Sequence, residues 1–471
     1  MIDLSALKTA LQGKPVAIVG LGKSGLSVFA ACKKAGIEAV LWDDTEDMRK
    51  AAEKQGAVLE DLTKADFSRF AFLCLAPGIP LTHPKPHPTV KLAQKAGIEV
   101  LGDIELFARA KPDAKIVAIT GTNGKSTTTA LIGHILKKAG VSSAVGGNIG
   151  EAVLNLPDLP TGAIYVLELS SYQLDLTSSF TADIAALINI TPDHLDRHGG
   201  MEGYVAAKER IFRNGGIGII GVDDEGAAGI FARQRKIAVR KMTAVSCLRP
   251  LAHGVFASME GELFDGPRAV VDLNTCPTLR GQHNWQNAAI AYTVCRAAGV
   301  DVPAIIDGLR SFPGLAHRQM VAGVLNNVTY INDSKATNDD AAAKALGTFS
   351  PIYWIAGGKA KDGGYAACEK NLSHVKHAFL IGEAEDSMAH WLTKHKIRHT
   401  RCGTLEKAAE AAHKMAQRDQ QDHAVVLLSP ACASFDQFKN FEQRGDAFEA
   451  CVKALIARPE DEKPAGKGAR T

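Results

Sequence analysis

Apolar positions along the first hundred residues fall into short runs separated by segments with a helical period. Strand-like runs lie at 16–19, 39–42, 70–75 and 99–101, and helix-like segments lie at 26–35 and 90–96. Strands that alternate with helices form parallel sheets covered by helices on both faces. The pattern predicts a doubly wound α/β domain at 1–107.

The same alternation recurs twice further along the chain. Strand-like runs lie at 115–119, 164–168 and 184–190, and again at 329–332, 352–356, 378–382 and 424–428. The turn-forming stretch from Ser311 to Gly314 interrupts the periodicity. With 471 residues and roughly 150 per domain, three α/β domains are expected, at 1–107, 108–313 and 314–471. The charged tail from Arg458 is predicted to be mobile.

Composition narrows the class of partner. Hydrophobic residues make up 46% and charged residues 22% of the chain, and the net charge is only +3. Overall charge therefore favours small-molecule substrates over nucleic acid or a membrane surface. No signal segment or apolar run of about 18 residues is present, which predicts a cytoplasmic protein. Nine cysteines without a CxxC pair indicate free thiols in a reducing compartment.

The most informative motif is TGTNGKS at 120–126, directly after a strand-like run and before a helix-like one. Its glycines would let backbone N–H groups approach phosphates, Lys125 could reach the terminal phosphates, and the Ser126 hydroxyl could join a Mg²⁺ shell. Ile119 occupies the position where the longer P-loop pattern has its first glycine. A nucleotide site and ATP chemistry are expected, and a simple surface turn is the alternative.

GLGKSG at 20–25 follows the first strand, and Asp43 and Asp44 come about twenty residues later. This spacing matches the dinucleotide fingerprint of Rossmann-like domains. The nucleotide loop at 120–126 makes NAD binding less favoured, because a domain of this kind can equally hold another nucleotide-linked substrate. NAD binding and a purely structural glycine turn remain as alternatives.

Two further segments follow strands of the central region. Glu168 ends the run 164–168, where a carboxylate could hold Mg²⁺ or cap the next helix. In the loop 189–198, His194 is predicted to serve magnesium or phosphate and His198 to face solvent. Their i, i+4 spacing is that of a zinc pair, but no HExxH pattern surrounds them.

Other polar residues carry weaker signals. Lys208 reads from the residues alone as a surface lysine. The stretch 280–287 could contact adenine, or Asn284 could cap the helix that follows. His317-Arg318 and the stretch 332–338 place charges near the start of the third domain, where they could close over phosphates.

These segments form a set of strings: GLGKSG, APGI at 76–79, TGTNGKS, GGNIG at 146–150, LELSSYQL, TPDHLDRH, GQHNWQN, AHR, NDSKATN and LSPACASFDQFKNFEQRG at 428–445. The set resembles the Mur ligase family, the ATP-dependent amide-forming enzymes of bacterial peptidoglycan assembly. The last string and the glycine-rich first domain are most similar to members that add D-glutamate. A folate-polyglutamate ligase shares the central loop but would lack such a first domain.

The resemblance implies a Rossmann-like first domain, a central P-loop ATPase-like domain, a Rossmann-like third domain and roles for individual residues. The UDP part of the substrate would contact Gly22, Lys23, Ser24, Asp43, Asp44 and Gly78, and Asn148 would position the acceptor. ATP would contact Gly121, Thr122, Asn123, Gly124, Lys125, Ser126, Thr127, Thr128, Asn287, Arg318 and Asp333. Two Mg²⁺ sites would draw on Ser126, Glu168, His194 and Lys208, the last as a carbamate. The amino acid would contact Lys335, Thr337, Lys361, Ser434 and Phe441.

Two positions depart from the pattern of relatives. The charge spacing in the loop 357–362 leaves Lys359 open as an alternative to Lys361, and Ala76 stands where close relatives have serine.

The resemblance assigns catalysis to Lys125, His194, Lys208 and Arg318.

The expected reaction joins D-glutamate to UDP-N-acetylmuramoyl-L-alanine through an acyl phosphate, with the third domain swinging toward the second. A monomer is expected, although the sequence leaves the oligomeric state open. The alternatives are a Mur-type ligase for another amino acid such as L-glutamate, an NAD-dependent dehydrogenase, and a non-catalytic nucleotide sensor.

Overall fold

The computed structural model describes residues 1–237, 240–360 and 364–457, and the strands of these ranges form three sheets. The chain divides into two compact units, Met1–Phe312 and Pro313–Thr471. Among the described residues, no helix is both long enough and apolar enough to pass through a membrane. The expected mobility of the tail from Arg458 concerns residues outside the described ranges.

The first sheet is entirely parallel, in the order β3-β2-β1-β4-β5. Its strands are β1 (Val16–Val19), β2 (Ala39–Trp42), β3 (Val58–Leu59), β4 (Phe72–Leu75) and β5 (Glu99–Leu101), and its helices are α1 (Ser5–Lys8), α2 (Lys23–Ala35), α3 (Glu46–Glu53), α4 (Pro88–Lys95) and α5 (Asp103–Ala110). Every residue of β1 and β4 is buried, since helices cover both faces. The order reverses between β1 and β4, which creates a crevice at their carboxyl ends.

The second sheet has the order β14-β13-β12-β11-β10-β9-β6-β8-β7 and is parallel from β7 to β12. Its strands are β6 (Lys115–Thr120), β7 (Ser143–Gly147), β8 (Ile164–Glu168), β9 (Ile184–Leu187), β10 (Ile217–Gly221), β11 (Lys241–Ser246), β12 (Val255–Ala257), β13 (Glu262–Asp265) and β14 (Arg268–Asp272). Its helices are α6 (Lys125–Lys138), α7 (Ser171–Asp175), α8 (Leu195–His198), α9 (Met201–Glu209), α10 (Glu225–Gln234), α11 (Gln282–Ala297) and α12 (Val302–Ser311).

Alternate side chains of β6 enter different cores. Ile116 and Ala118 pack into the core that continues into the first domain, whereas Val117 and Ile119 pack against α6 and α11 on the other face. Both faces of the strand are apolar because both are covered. The loops after β6, β8 and β9 leave the same edge of the sheet, since these strands are parallel.

The third sheet has the order β15-β16-β20-β17-β18-β19, with β15 antiparallel to its neighbour and the rest parallel. Its strands are β15 (Met320–Leu325), β16 (Val328–Asn332), β17 (Ile352–Gly357), β18 (Val375–Ile381), β19 (His399–Gly403) and β20 (Ala424–Leu428), and its helices are α13 (Asp339–Leu346), α14 (Glu385–Lys394), α15 (Leu405–Asp419) and α16 (Phe441–Ile456). The predicted α/β class with three sheets is confirmed.

Two predicted strands are shorter in the structure. The strand predicted from residue 70 begins at Phe72, because Asp66 caps a turn at Phe67–Arg69 through the backbone N–H of Ser68. The strand predicted to reach residue 190 ends at Leu187, since its neighbour β6 ends at the turn of Gly121. The predicted domain boundaries stay predictions; the first of them falls inside α5.

Candidate active site

The loop between β6 and α6 is shaped by two glycines. Gly121 and Gly124 have φ angles of 156° and 85°, which side-chain-bearing residues rarely adopt. A Cβ on Gly124 would also clash with the amide oxygen of Asn287 on α11. The same amide oxygen accepts a hydrogen bond from Thr128 Oγ1 at 3.3 Å. Asn287 on α11 therefore packs directly against the predicted phosphate loop.

The loop is fixed by the segment that follows β9. Thr122 N and Asn123 N donate to the backbone and side-chain oxygens of Asn189, each at 2.9 Å. Thr122 Oγ1 is 3.0 Å from the hydroxyl of Tyr204 on α9. Lys125 Nζ lies over the loop and donates to the carbonyl oxygens of Gly121 and Thr122 at 3.0 and 2.9 Å.

Ser126, Thr127 and Thr128 form the first turn of α6. The first N–H groups of a helix have no partner within the helix, and the helix dipole makes this end positive. Ser126 is half-buried and Thr127 is buried. The predicted residues from Gly121 to Thr128 therefore run from the loop into the first turn of α6 at the edge of the sheet, an arrangement suited to an anionic ligand.

Glu168, at the end of β8, is 2% exposed and lies beside Asn148. Asn148 Nδ2 donates to Glu168 Oε1 at 2.7 Å, whereas the buried Oε2 has no hydrogen-bond partner among the described residues. The alternative of a capping role is wrong, because Ser170 caps α7 in a reciprocal pair with Gln173. A buried carboxylate oxygen with an open coordination position fits a hard cation such as Mg²⁺.

The loop after β9 separates its two histidines. His194 has a left-handed backbone with φ 52°, and its half-exposed ring lies 5.1 Å from that of Tyr172. Burial and the charges of Lys125 and Lys208 lower its pKa, against the opposing effect of Asp193. His194 is thus within electrostatic reach of both lysines.

The prediction that His198 faces solvent is wrong. Its ring is buried, 2.9 Å from Ser171 Oγ and 3.2 Å from Asp175 Oδ2, and it stacks on Tyr172 at 5.3 Å. The four-residue helix α8 turns His198 inward, which the i, i+4 spacing could not reveal. His198 holds the loop that presents His194.

Lys208 is not the surface residue that its helix suggests. It is 1% exposed, its Nζ donates to Gly121 O at 2.7 Å, and it lies 4.7 Å above the ring of Tyr204. Burial and the charge of Lys125 lower its pKa well below the ordinary value. The amine therefore lies at the phosphate loop with its charge disfavoured.

The helix after the stretch 280–287 is not capped by Asn284. α11 begins at Gln282 after Gly281, which has φ 86° and serves as its N-cap. The Asn284 side chain instead donates to Arg280 O at 2.9 Å and accepts from Asn287 Nδ2 at 3.2 Å. Asn284 thereby orients Asn287, which faces the phosphate loop.

In the first domain, Asp43 is tied to the glycine turn. Its carboxylate accepts from Leu21 N at 2.7 Å and Thr45 N at 2.8 Å. Asp44 is more exposed and lies 3.1 Å from His87 Nε2. Gly22 and Lys23 are exposed and Ser24 is half-buried at the start of α2.

The turn that holds Gly78 connects the first domain to the His194 loop. Arg197 Nη1 donates to Gly78 O at 3.1 Å, and its guanidinium lies 4.7 Å above the ring of Tyr172. Ala76 lies on the same turn as Gly78, and a Cβ placed on Gly20 of the glycine loop would be 2.6 Å from its Cβ. The turn and the glycine loop are therefore in direct contact.

In the second unit, the predicted residues gather at the carboxyl ends of β16 and β20. Asp333 is 4% exposed and accepts from Ser429 Oγ at 2.7 Å and Gln319 N at 3.2 Å. Burial raises the pKa of Asp333 to about 7, partly countered by Ser429 and Arg318. Nothing in the residues around Asp333 predicted that this carboxylate is buried.

Lys335 and Thr337 follow this carboxylate in the sequence, and Phe441 contacts Lys335 from the start of α16. Lys335 Nζ lies 4.1 Å above the ring of Phe441, and Thr337 N donates to Lys335 O at 2.8 Å. Ser434 is buried, and its carbonyl accepts from the N–H groups of residues 437 and 438. Lys361 lies outside the described residues, so its choice over Lys359 stays a prediction.

Family models match three successive parts of the chain. A Mur ligase MurD-like N-terminal domain matches residues 14–102, a Mur ligase middle domain matches 119–295, and a Mur ligase glutamate ligase domain matches 317–432. The chain belongs to the Mur ligase family. The resemblance inferred from the sequence strings is thereby confirmed.

Curated relatives of this Mur ligase align over almost the whole chain. A protein named UDP-N-acetylmuramoylalanine--D-glutamate ligase from a Caulobacter species is 51% identical, over 97% of this chain and 98% of the relative. Proteins of the same name from Paramagnetospirillum magneticum and Rhizobium meliloti are each 48% identical, over 94% and 95% of this chain and 97% and 98% of the relatives.

Solved structures of other Mur ligases share the fold. UDP-N-acetylmuramate-alanine ligase MurC from Thermotoga maritima superposes with a TM-score of 0.59 at 17% identity, covering 94% of this chain and 99% of that one. MurF from Acinetobacter baumannii gives 0.55 at 19% identity, covering 77% and 82%. At these identities the likeness concerns the fold alone.

Sequence reasoning missed Arg444 of this Mur ligase. Arg444 is 1% exposed and donates from Nε to Ser334 Oγ at 3.0 Å, from Nη2 to Ser334 O at 2.8 Å, and from Nη1 and Nη2 to Cys432 O, each at 3.2 Å. It thereby joins the loop before α13 to the loop that carries Ser434. One signal was available: Arg444 lies four residues before Phe448, on the apolar stripe of α16.

Proposed function

We propose that this Mur ligase adds D-glutamate to UDP-N-acetylmuramoyl-L-alanine at the expense of ATP, in peptidoglycan precursor synthesis. The observation that carries the proposal is the identity of 47 to 51% with relatives named for this activity, which extends through all three domains. The phosphate loop with Glu168 and Lys208 around it agrees with phosphoryl transfer.

The reaction requires activation because a carboxylate is a poor acyl donor. A carboxylate oxygen of the L-alanyl group attacks the γ-phosphorus of ATP, and the bridging P–O bond breaks to release ADP. The amine of D-glutamate then attacks the acyl carbon, phosphate leaves with the bonding electrons, and the amine nitrogen loses a proton. Both steps depend mainly on positioning and on charge stabilisation.

The phosphate loop supplies the positive charge. Lys125 extends over the loop and the N-terminal turn of α6 faces the same space, so both can neutralise charge on the phosphoryl group. The glycines at 121 and 124 let the backbone approach closely without side-chain interference. Asn287 contacts Thr128 at the base of this loop, which supports its proposed place in the ATP group.

The residues around Glu168 fit Mg²⁺. The buried Oε2 of Glu168, which has no hydrogen-bond partner in the described ranges, is the structural basis for this fit. Ser126 and His194 would complete two sites with it. Bound Mg²⁺ would neutralise phosphate charge and hold the transferred group in line. Asn148 donates to Oε1 and so leaves Oε2 available.

Lys208 is proposed to act as a carbamate. Its amine is buried beside Gly121 O and forms no ion pair with a carboxylate in the described part of the chain. Attack of the neutral amine on CO₂ forms an N–C bond and releases one proton, which leaves an anionic oxygen pair. Such oxygens are ligands for Mg²⁺, which a bare ammonium cannot bind.

The substrate assignments remain proposals from the resemblance. The crevice of the first domain would hold UDP through Gly22, Lys23, Ser24, Asp43, Asp44 and Gly78, and Asn148 would position the acceptor. D-Glutamate would contact Lys335, Thr337, Ser434 and Phe441, and Arg318 and Asp333 would serve ATP. The paired sites for magnesium, the monomeric state and the cytoplasmic location likewise stay predictions.

The test is release of ADP by the purified chain. Release should require Mg²⁺, UDP-N-acetylmuramoyl-L-alanine and D-glutamate together, and an L-glutamate arm distinguishes the enantiomers. A requirement for another amino acid would support the alternative ligase. Hydride transfer to a nicotinamide, or nucleotide binding without turnover, would replace the ligase by the two remaining alternatives.

A further inference from the structure

A cavity of about 640 Å³ lies in the central domain, apart from the phosphate loop. It is bounded by the end of α9, the segment after it, the end of α10 and the residue that precedes β11. Its volume lies within the range of roughly 300–1,000 Å³ of small-molecule sites. The lining residues used below are Glu209, Arg210, Phe212, Arg213, Ile237 and Arg240.

Two of the charged residues of the cavity wall are neutralised by neighbours. Arg210 Nε lies 3.1 Å from Asp175 Oδ1. Glu209 accepts from Arg233 Nη2 at 2.6 Å and from Gln234 Nε2 at 2.9 Å. These pairs account for both charges, so neither leaves an excess at the cavity.

Arg213 and Arg240 differ from these pairs, because neither forms an ion pair within the part of the chain that the structure describes. Arg213 Nη1 donates to Thr177 O at 3.1 Å, and Arg240 Nη2 donates to Arg213 O at 3.0 Å. Carbonyl oxygens satisfy these hydrogens without cancelling the charge. Asp175 and Glu105 attract the Arg213 charge without forming an ion pair with it, so both guanidinium groups stay available on one side of the cavity.

Arg240 is the more unusual of the two. It is only 6% exposed, its guanidinium lies 5.5 Å from the centre of the Phe212 ring, and its buried Nη1 has no hydrogen-bond partner among the described residues. Burial lowers the pKa of both arginines, but a guanidinium stays charged at neutral pH. A buried charge without a counter-charge is unfavourable unless an anion completes the arrangement.

We propose that this cavity is a binding site for a phosphate monoester with an apolar body. A phosphate monoester carries a charge of about −1.5 to −2 at pH 7, which suits two guanidinium groups that form no ion pair in the described part of the chain. Its oxygens accept forked hydrogen bonds from arginine. Phe212 and the partly exposed Ile237 provide apolar surface for the rest of the molecule. The proposal does not depend on the ligase activity.

Phenyl phosphate is a suitable probe, because it combines a dianion with a small apolar ring. Binding is measured by calorimetry on the full chain, with Mg²⁺ and a non-hydrolysable ATP analogue at saturation so that the phosphate loop is occupied. One molecule should bind to the wild type. Arg240→Gln and Arg213→Gln should each weaken binding about tenfold or more, since each removes a charge-assisted hydrogen bond.

Arg235→Gln is the matched control, because Arg235 is exposed, lies near α10 and does not line the cavity. Its affinity should stay within about twofold of the wild type. Thermal denaturation of each variant shows that it is folded, and the two cavity variants test the site independently.

Three results would overturn the proposal. The first is the absence of phenyl phosphate binding to the wild type once the ATP analogue is bound. The second is an equal loss in Arg235→Gln and in the cavity variants, or no loss in either cavity variant. The third is equal affinity for benzoate, which has one negative charge and would show that no dianion is preferred.

Discussion

Burial of Asp333 should make the stability of the folded chain depend on pH in a way that can be measured. Its carboxylate is buried at the end of β16, and burial raises its pKa from 3.8 to about 7. In the unfolded chain the group ionises near pH 4, whereas in the folded chain it holds its proton until about pH 7. Stability from this residue is therefore greatest at low pH, falls as pH rises between these values, and stays low above pH 7.

The change to test is Asp333→Asn, which removes the titration and keeps the size. Ser429 Oγ and Gln319 N can still form hydrogen bonds with the amide. From pH 5 to the pKa of about 7, the wild type loses stability over two pH units, which corresponds to about 2.7 kcal/mol. The free energy of unfolding of the variant, relative to that of the wild type, should therefore be higher by about this amount at pH 8.5 than at pH 5. For a unit of this size the gain equals roughly 5–10 °C in melting temperature.

The assay is calorimetric melting of the full chain at pH 5 and pH 8.5, following the transition that the variant shifts. Asp422→Asn, at an exposed position of the same unit, is the control for removing a carboxylate that is not buried. Other titrating groups cancel when variant and wild type are compared at one pH. A stability gap that does not widen toward pH 8.5 would refute the reasoning.

Three further predictions concern the candidate active site. Gly124→Ala should reduce ADP release at least about tenfold, because the new methyl group meets Asn287 at a left-handed backbone position. Gly140→Ala is the control, since Gly140 is also left-handed but lies in open space. Equal losses in the two variants would contradict the steric argument. Lys208→Ala should abolish turnover, and a short carboxylate in the medium should restore part of it; full activity without the additive would remove the carbamate proposal. Arg444→Lys should raise the KM for D-glutamate more than it lowers kcat, because a lysine cannot donate to Ser334 and Cys432 at the same time in the geometry of the guanidinium. An unchanged KM would show that the Ser434 loop does not depend on this side chain.

Local patterns in the sequence were enough to predict the α/β class and the position of the central glycine loop. The strand-like runs and the glycine motifs predicted the class because sheet burial and left-handed turns impose residue types at short range. The strings along the chain placed it in the right family. Strand ends were less accurate, as at Phe72, because a side-chain cap ended the preceding turn.

Properties that depend on burial were decided only by the tertiary structure. Lys208 and His198 looked like surface residues, because nothing in the helix of Lys208 singled it out and no HExxH pattern supported a zinc pair at His194 and His198. Both are enclosed by segments far away in sequence: Lys208 by the loop after β6, and His198 by α7. A residue's own neighbours in the chain set its backbone, whereas desolvation and charge compensation depend on the segments that pack around it. For the same reason, the sequence did not reveal the burial of Arg444 and Asp333 or the pair of arginines at the cavity.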